Sequence, residues 1–208
     1  MKIAKDGLPT IAALALMAAG GFLISPLITA VLLCPFVMSI WFYRDPERAP
    51  GDISPDAWLS PADGRVVEIG EASDPYAGNV TKIGIFMNGF DVHVNRFPFE
   101  GTVEEIVYVP GKKWFAIAPK AAEINERLYV RVTTPHGRTT LVQIAGIMAR
   151  RIKCYVKCSS HLARGERYGM IKLGSKVDIY LPSSVSPCVN IGERVRAGET
   201  VIGVVKGR

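Results

Sequence analysis

The residue pair with the most specific chemistry open to it is Gly174-Ser175, set between apolar, strand-like runs in the stretch Arg167–Pro182. A serine hydroxyl is a poor nucleophile unless a base and a fixed geometry activate it. It can nevertheless attack the carbonyl just before it in its own chain when a tight turn presents that carbonyl. A preceding glycine helps, because it tolerates strained backbone angles and adds no side chain to the approach. The ester so formed breaks by elimination and hydrolysis, leaving a ketone-bearing pyruvoyl group at a new N-terminus. Taken alone, Leu173-Gly174-Ser175 fits an ordinary strand-edge turn equally well.

Such an attack needs a base, and three histidines are present: His93, His136 and His161. Histidine is the side chain that titrates near neutrality. His136 sits in Thr134-Pro135-His136-Gly137-Arg138, which reads as a hairpin turn. His161 lies in a polar loop upstream of Ser175. His93 lies between Asp91 and Asn95 in a strand-like run with Val92 and Val94.

Three stretches, in order, carry a resemblance: Ser60-Pro61-Ala62-Asp63-Gly64, Phe90–Pro98 with Asp91-Val92-His93-Val94-Asn95-Arg96, and Tyr168–Pro182 around Gly174-Ser175. Together they resemble the phosphatidylserine decarboxylase family, most closely its short bacterial and archaeal form, over nearly all of the chain after residue 40. The resemblance implies that the chain cuts itself between residues 174 and 175. Ser175 then becomes a covalent pyruvoyl cofactor, and Gly174 the carboxyl end of the larger fragment. Asp63 matches the acidic member of the family's self-cleavage triad. His93 matches the first histidine of a His-x-x-His pattern and implies proton transfer during decarboxylation.

The implied reaction converts phosphatidylserine to phosphatidylethanolamine and carbon dioxide through a Schiff base to the pyruvoyl ketone, which acts as the electron sink. Two departures stand out. Arg96 occupies the position of the second histidine, and an arginine is always protonated and cannot serve as base. The expectation is therefore that His93 serves both steps with Asp63 orienting it, with His161 as the alternative. Lys176 replaces the usual threonine and leaves the nucleophile intact. The lipid phosphate calls for guanidinium groups, for which Arg96, Arg150 and Arg151 are the candidates. The same chemistry on archaetidylserine is an alternative substrate reading.

The elements that must position these residues follow from patterning. From Leu8 to Tyr43 no residue is charged, more than the roughly 20 residues of one helical span. Gly20-Gly21 and Ser25-Pro26 interrupt the run. Lys2 and Lys5 precede it and Arg44 and Arg48 follow it, so both ends are expected on the cytoplasmic side. Residues 1–43 read as a membrane anchor, 44–54 as a polar, proline-rich linker, and 55–208 as the catalytic domain. The net charge of +6 favours anionic partners, here a membrane surface with its phospholipid substrate rather than nucleic acid. A cell-membrane location, association of the two cleaved fragments and a homodimer are compatible with this.

Strands are expected at Arg65–Ile69, Lys82–Met87, Thr102–Val109, Arg127–Val132 and Thr139–Ile144, with weak helical character at 116–127 and 147–153. The glycine-punctuated C-terminal segment Val189–Gly203 looks like the hairpin of lipoyl- and biotinyl-carrier folds, with Pro61–Val67 as its partner. The expected fold is mainly β (α+β), a lipoyl/biotinyl-carrier-like barrel-sandwich with an N-terminal transmembrane or re-entrant helical hairpin. A rival reading from another class is a noncatalytic, membrane-tethered lipoyl-like module, whose carrier lysine would be Lys172 or Lys176. The four cysteines read as free thiols in a reducing compartment; Cys154 and Cys158 lack the second ligand pair of a metal site.

Overall fold

The computed structural model describes residues 2–49, 51–112, 114, 124–146, 151–172 and 175–207. The chain divides into two compact units, 1–47 and 48–208. In the first, β1 (Lys2–Ile3) pairs antiparallel with β2 (Arg44–Asp45). Between them run α1 (Leu8–Phe22) and α2 (Pro26–Phe42). Ser25 caps α2 by accepting a hydrogen bond from the Leu27 N–H at 3.3 Å, and Pro26 opens that helix where no N–H is needed. The tip between the helices exposes Phe22, Leu23 and Ile24. A Cβ on Gly7 would lie 2.2 Å from the Tyr43 ring, so only glycine lets the chain ends close this tightly.

The hydrophobic run is thus two short helices of 15 and 17 residues rather than one long one. At 1.5 Å per residue the longer spans roughly 25 Å, against about 30 Å of bilayer hydrocarbon. No described helix is long and apolar enough to cross a membrane. The start of the expected linker is also more ordered than its composition suggests, since Arg44 and Asp45 form β2.

The second unit is mainly β. Its strands are β3 (Ala57–Leu59), β4 (Gly64–Asp74), β5 (Gly78–Met87), β6 (Val94–Arg96), β7 (Gly101–Val109), β8 (Arg127–Thr134), β9 (Gly137–Ala145), β10 (Ile152–Cys154), β11 (His161–Leu162), β12 (Arg167–Ile171), β13 (Ser175–Leu181), β14 (Val185–Pro187), β15 (Arg194–Val195) and β16 (Val201–Val205). An eight-stranded sheet of order β11-β7-β8-β9-β13-β5-β4-β15 curls into a half-barrel. Two three-stranded sheets, β10-β12-β6 and β14-β16-β3, accompany it. The buried core includes Val66, Ile83, Ile85, Val130, Val132, Leu141, Val177 and Ile179.

All five strands expected from alternation are present. The C-terminal segment meets the 61–67 stretch as expected, with Val195 opposite Gly64 and Arg194 opposite Arg65. The two segments read as weakly helical fall largely on residues 115–123 and 147–150, outside the described residues. Their ends differ from that reading: Arg127 begins β8, and Ile152 and Lys153 lie in β10, where cross-strand pairing overrides a weak local preference.

A register shift in β4 between Val66 and Glu68 has a large effect. Strict alternation would send both side chains to one face; the extra residue of a bulge separates them. Val66 stays in the core, while Glu68 joins Lys82, Lys176 and Asp178 on the opposite face. Lys176 Nζ lies 2.5 Å from Glu68 Oε2 and 3.0 Å from Asp178 Oδ1; Lys82 Nζ lies 2.9 Å from Glu68 Oε1 and 3.2 Å from Asp178 Oδ2. Gly84 makes the room, because a Cβ there would sit 2.6 Å from Lys176 Cε.

Burial pushes the Asp178 carboxyl above its ordinary value, with the two ammonium groups opposing. Burial acts upward on Glu68 too, but hydrogen bonds from Lys176 and Lys82 outweigh it and hold that carboxyl below its ordinary value. A depressed carboxyl stabilises the fold above its unfolded pKa and loses that stabilisation as pH falls through the folded value. Glu68→Gln should therefore lower Tm near neutrality by about 2–4 °C, and the gap to the parent should close below about pH 4. Asp178 is common to both proteins, so its opposite drift largely cancels in the difference. Thermal denaturation across pH reads this; a gap unchanged down to acid pH would contradict the assignment.

Candidate functional site

Ser175 opens β13, a strand paired on both sides: Ser175 stands opposite Met87 of β5 and Ala145 of β9. It is fully buried, and its Oγ has no hydrogen-bond partner among the described residues. Alternation along β13 puts Ser175 on the core face with Val177 and Ile179, and Lys176 on the opposite face. Gly174 lies outside the described residues.

His93 is buried just before β6, and its carbonyl accepts from the Ile171 N–H at 3.3 Å. Its Nδ1 lies 2.9 Å from the Asp91 carbonyl oxygen. A carbonyl can only accept, so Nδ1 carries the proton in this contact and the neutral ring presents Nε2 as its basic nitrogen. Asp91 is itself fixed: its carboxylate accepts from the Asn88 N–H at 2.9 Å and its N–H donates to the Asn88 carbonyl at 3.2 Å.

Asp63 does not orient His93. Its carboxylate is taken by Arg48 in a two-pronged ion pair, Nη1 to Oδ1 and Nη2 to Oδ2 (2.8 Å), and Oδ1 also accepts from the Ala197 N–H at 2.8 Å. Arg48 Nη1 donates further to the Ala197 carbonyl at 2.7 Å. The Ser-Pro-Ala-Asp motif is a junction on its backbone side as well. The Ser60 carbonyl accepts from Gly198 and the Pro61 carbonyl from Arg96, both at 2.9 Å. The expectation failed because the partner of Asp63 comes from the supposed linker, and nothing in the local sequence of Arg48 marks it.

Arg96 is buried, and one guanidinium N–H donates to the Gly165 carbonyl at 2.9 Å. Its stem runs under Gly198, where a Cβ would lie 2.8 Å from Arg96 Cδ. This is an internal strap, poorly disposed to an incoming phosphate. Arg150 lies outside the described residues. Arg151 is exposed, and its carbonyl accepts from the Lys172 N–H at 3.1 Å, so it flanks the segment leading into Ser175.

The other histidines sit elsewhere. His161 is exposed on β11, its Nδ1 3.2 Å from Thr102 Oγ1, with β7, β8 and β9 between β11 and β13 in the sheet. His136 occupies the β8–β9 turn against the Phe99 ring, as expected. Lys176 is buried in ion pairs, which disqualifies it as an exposed carrier lysine. Among the described residues no cluster of His, Cys, Asp or Glu is arranged to hold a metal ion.

Sequence reasoning also passed over a polar pair on the core face. Gln143 of β9 donates through Nε2 to Asn95 Oδ1 at 2.7 Å, and both residues are fully buried. The available signal was a lone amide within the apolar run Leu141-Val142-Gln143-Ile144.

Residues 37–203 match the family model of phosphatidylserine decarboxylase. A protein from Solidesulfovibrio magneticus named phosphatidylserine decarboxylase proenzyme is 45% identical over 203 residues, covering 96% of this chain and 94% of its own length. Similar proteins of that name from Oleidesulfovibrio alaskensis and Cupriavidus pinatubonensis are 46% and 44% identical, covering 98% and 96% of this chain and 94% of each relative.

The Arg48–Asp63 pair yields a stability prediction. Removing one member of a buried pair leaves the other charge uncompensated, which costs about 3–5 kcal/mol. Arg48→Ala should lose that much in chemical denaturation, while the paired replacement Arg48→Met with Asp63→Asn should lose distinctly less. An Arg48→Ala protein as stable as the parent would show that the pair holds nothing together.

Proposed function

The chain belongs to the phosphatidylserine decarboxylase family, and we propose that it is made as a proenzyme, cuts itself between residues 174 and 175, and then decarboxylates phosphatidylserine to phosphatidylethanolamine. The observation that carries this reading is the Ser175 hydroxyl, fully buried at the start of β13 and without a partner among the described residues. A buried polar atom left unsatisfied is unfavourable in a protein that only needs to fold, and it suits a group kept for chemistry.

In the first step the Ser175 Oγ bonds to the carbonyl carbon of residue 174 as the C–N bond breaks, giving an ester. His93, with Nδ1–H held by Asp91, offers Nε2 to take the hydroxyl proton. Loss of the Cα proton and cleavage of the Cβ–O bond then release the carboxylate of residue 174. One water enters and one ammonia leaves, so the processing needs no oxidant or reductant. The cross-strand neighbours of position 175, Met87 and Ala145, are uncharged, which suits an uncharged ketone. A pyruvoyl group there supplies a carbonyl that takes up the substrate amine and draws electrons from the bond to its carboxyl carbon.

His93 then returns a proton to the reacting carbon, a task for a group titrating near neutrality. Arg151, at the edge of the same segment, is placed to meet a phosphate, with Arg150 as its neighbour in sequence. The diacyl lipid is the proposed substrate because the relatives are named phosphatidylserine decarboxylase proenzyme.

The α1–α2 hairpin is proposed to dip into the cytoplasmic face of the cell membrane with Phe22, Leu23 and Ile24 deepest, both chain ends staying on the side of Lys2 and Arg44. The helices are too short for a comfortable crossing but long enough to bury their apolar surface in one leaflet. Leu23→Arg should shift the protein toward the soluble fraction after membrane fractionation; an unchanged distribution argues against hairpin insertion.

Intact mass tests the central reading. Fragments of residues 1–174 and 175–208 are expected, the smaller one blocked at its N-terminus by the pyruvoyl group. Ser175→Ala should stay in one piece and release no carbon dioxide. Parent protein that stays whole, with an unmodified serine at 175, would overturn the proposal.

A further inference from the structure

We propose that Gln143, fixed in place by Asn95, is the positioning residue that orients the Ser175 hydroxyl toward the carbonyl of residue 174. The inference rests on the self-processing reading and assigns a role to two residues outside its motif-derived site.

The placement follows from register. Strand β13 lies between β5 and β9; Ser175 faces Met87 and Ala145, and Val177 faces Ile85 and Gln143. Residues opposite one another share a face, so Ser175, Met87, Ala145 and Gln143 all project to the core side. On that face Gln143 is the diagonal neighbour of Ser175, with Cβ atoms about 7–8 Å apart or somewhat less, within reach of a long side chain.

Asn95 comes from β6 in another sheet. It donates through Nδ2 to Met87 Sδ at 3.6 Å and accepts from Gln143 Nε2 at 2.7 Å. Met87 and Gln143 stand on opposite sides of β13, so the Asn95 amide bridges over that strand at the level of Ser175 and Val177. Gln143 is confined from another direction by Gly169 of β12. A Cβ on Gly169 would fall 2.8 Å from Gln143 Nε2 and 3.0 Å from Oε1.

With Nε2 committed to Asn95, Gln143 Oε1 is buried and without a partner among the described residues, as is Ser175 Oγ. A hydroxyl donor and an amide acceptor left unsatisfied on the same face complement each other. An amide is no base, so Gln143 does not remove the proton. By drawing the O–H toward β9 it fixes how the oxygen lone pairs are presented and leaves proton removal to His93. In the step served, Oγ bonds to the carbonyl carbon, the C–N bond breaks, and the proton lost by the hydroxyl is balanced by one gained at the departing nitrogen.

The test follows chain splitting on denaturing gels after a pulse of synthesis of the full chain, with the folding of each variant read as Tm in a Ser175→Ala background. Gln143→Leu should split at least about tenfold more slowly than the parent while its Tm in that background shows a folded protein. Gln143→Glu places a titratable acceptor at the same point. Its splitting should gain a pH step absent from the parent and slow as the medium is acidified. Splitting of Gln143→Leu within about twofold of the parent, or a Gln143→Glu profile that superimposes on the parent's, overturns the proposal. Should Gln143→Leu fail to fold, the Gln143→Glu profile decides alone. A parent that does not split at all sinks the self-processing reading instead.

Discussion

Burying a hydroxyl without a partner costs about 1–3 kcal/mol, and Ser175 carries that burden at the first residue of a strand paired on both sides. Such a position is held only when its surroundings over-determine it. Here they do so from both faces. Core packing of Val177 and Ile179 fixes the inner face of β13, while Lys176 and Asp178 bind Glu68 and Lys82 on the outer one. The strand cannot slip by one residue without burying charges in the core and exposing its apolar set.

His93 and Asp63 are oriented by different partners. His93 takes its orientation from the backbone of Asp91, within a turn closed by Asn88. Asp63 is satisfied by Arg48 and Ala197 and closes the junction between β3, β4 and the turn after β15. A carboxylate so engaged ties these segments to one another.

Much of this was legible in the chain. Alternating strands such as Thr102–Val109 and Thr139–Ile144 showed their period directly, and Gly192 and Gly198 marked turns that need positive φ. Ser175 and His93 stood out because their neighbours form ordered motifs. What stayed hidden depends on long-range partners. Glu68 faces outward only because of a bulge that single-strand periodicity cannot reveal. Arg48 reads as a linker charge until residues 63 and 197 are brought to it. Arg96 looked like a phosphate ligand, but Gly165 and Gly198 enclose it. Gln143 was visible only as one amide among apolar residues, with no local clue that Asn95 lay across the strand.

The proposed cut between residues 174 and 175 has consequences for the sheet. A chain broken between 174 and 175 acquires two new ends, and ends fray unless tied down. The smaller fragment would begin with β13, which is bonded to β5 and β9 along most of its length, so its first residue would be held in the sheet. Two of its remaining strands pair with strands before the cut, β15 with β4 and β16 with β3. The ion pairs of Lys176 and Asp178 add cross-links one and three residues past Ser175, through Glu68 and Lys82, which precede the proposed cut. Sheet pairing and buried charge thus keep position 175 in register after its covalent tether is lost, which is the physical condition for a group created by chain scission to remain part of an active site.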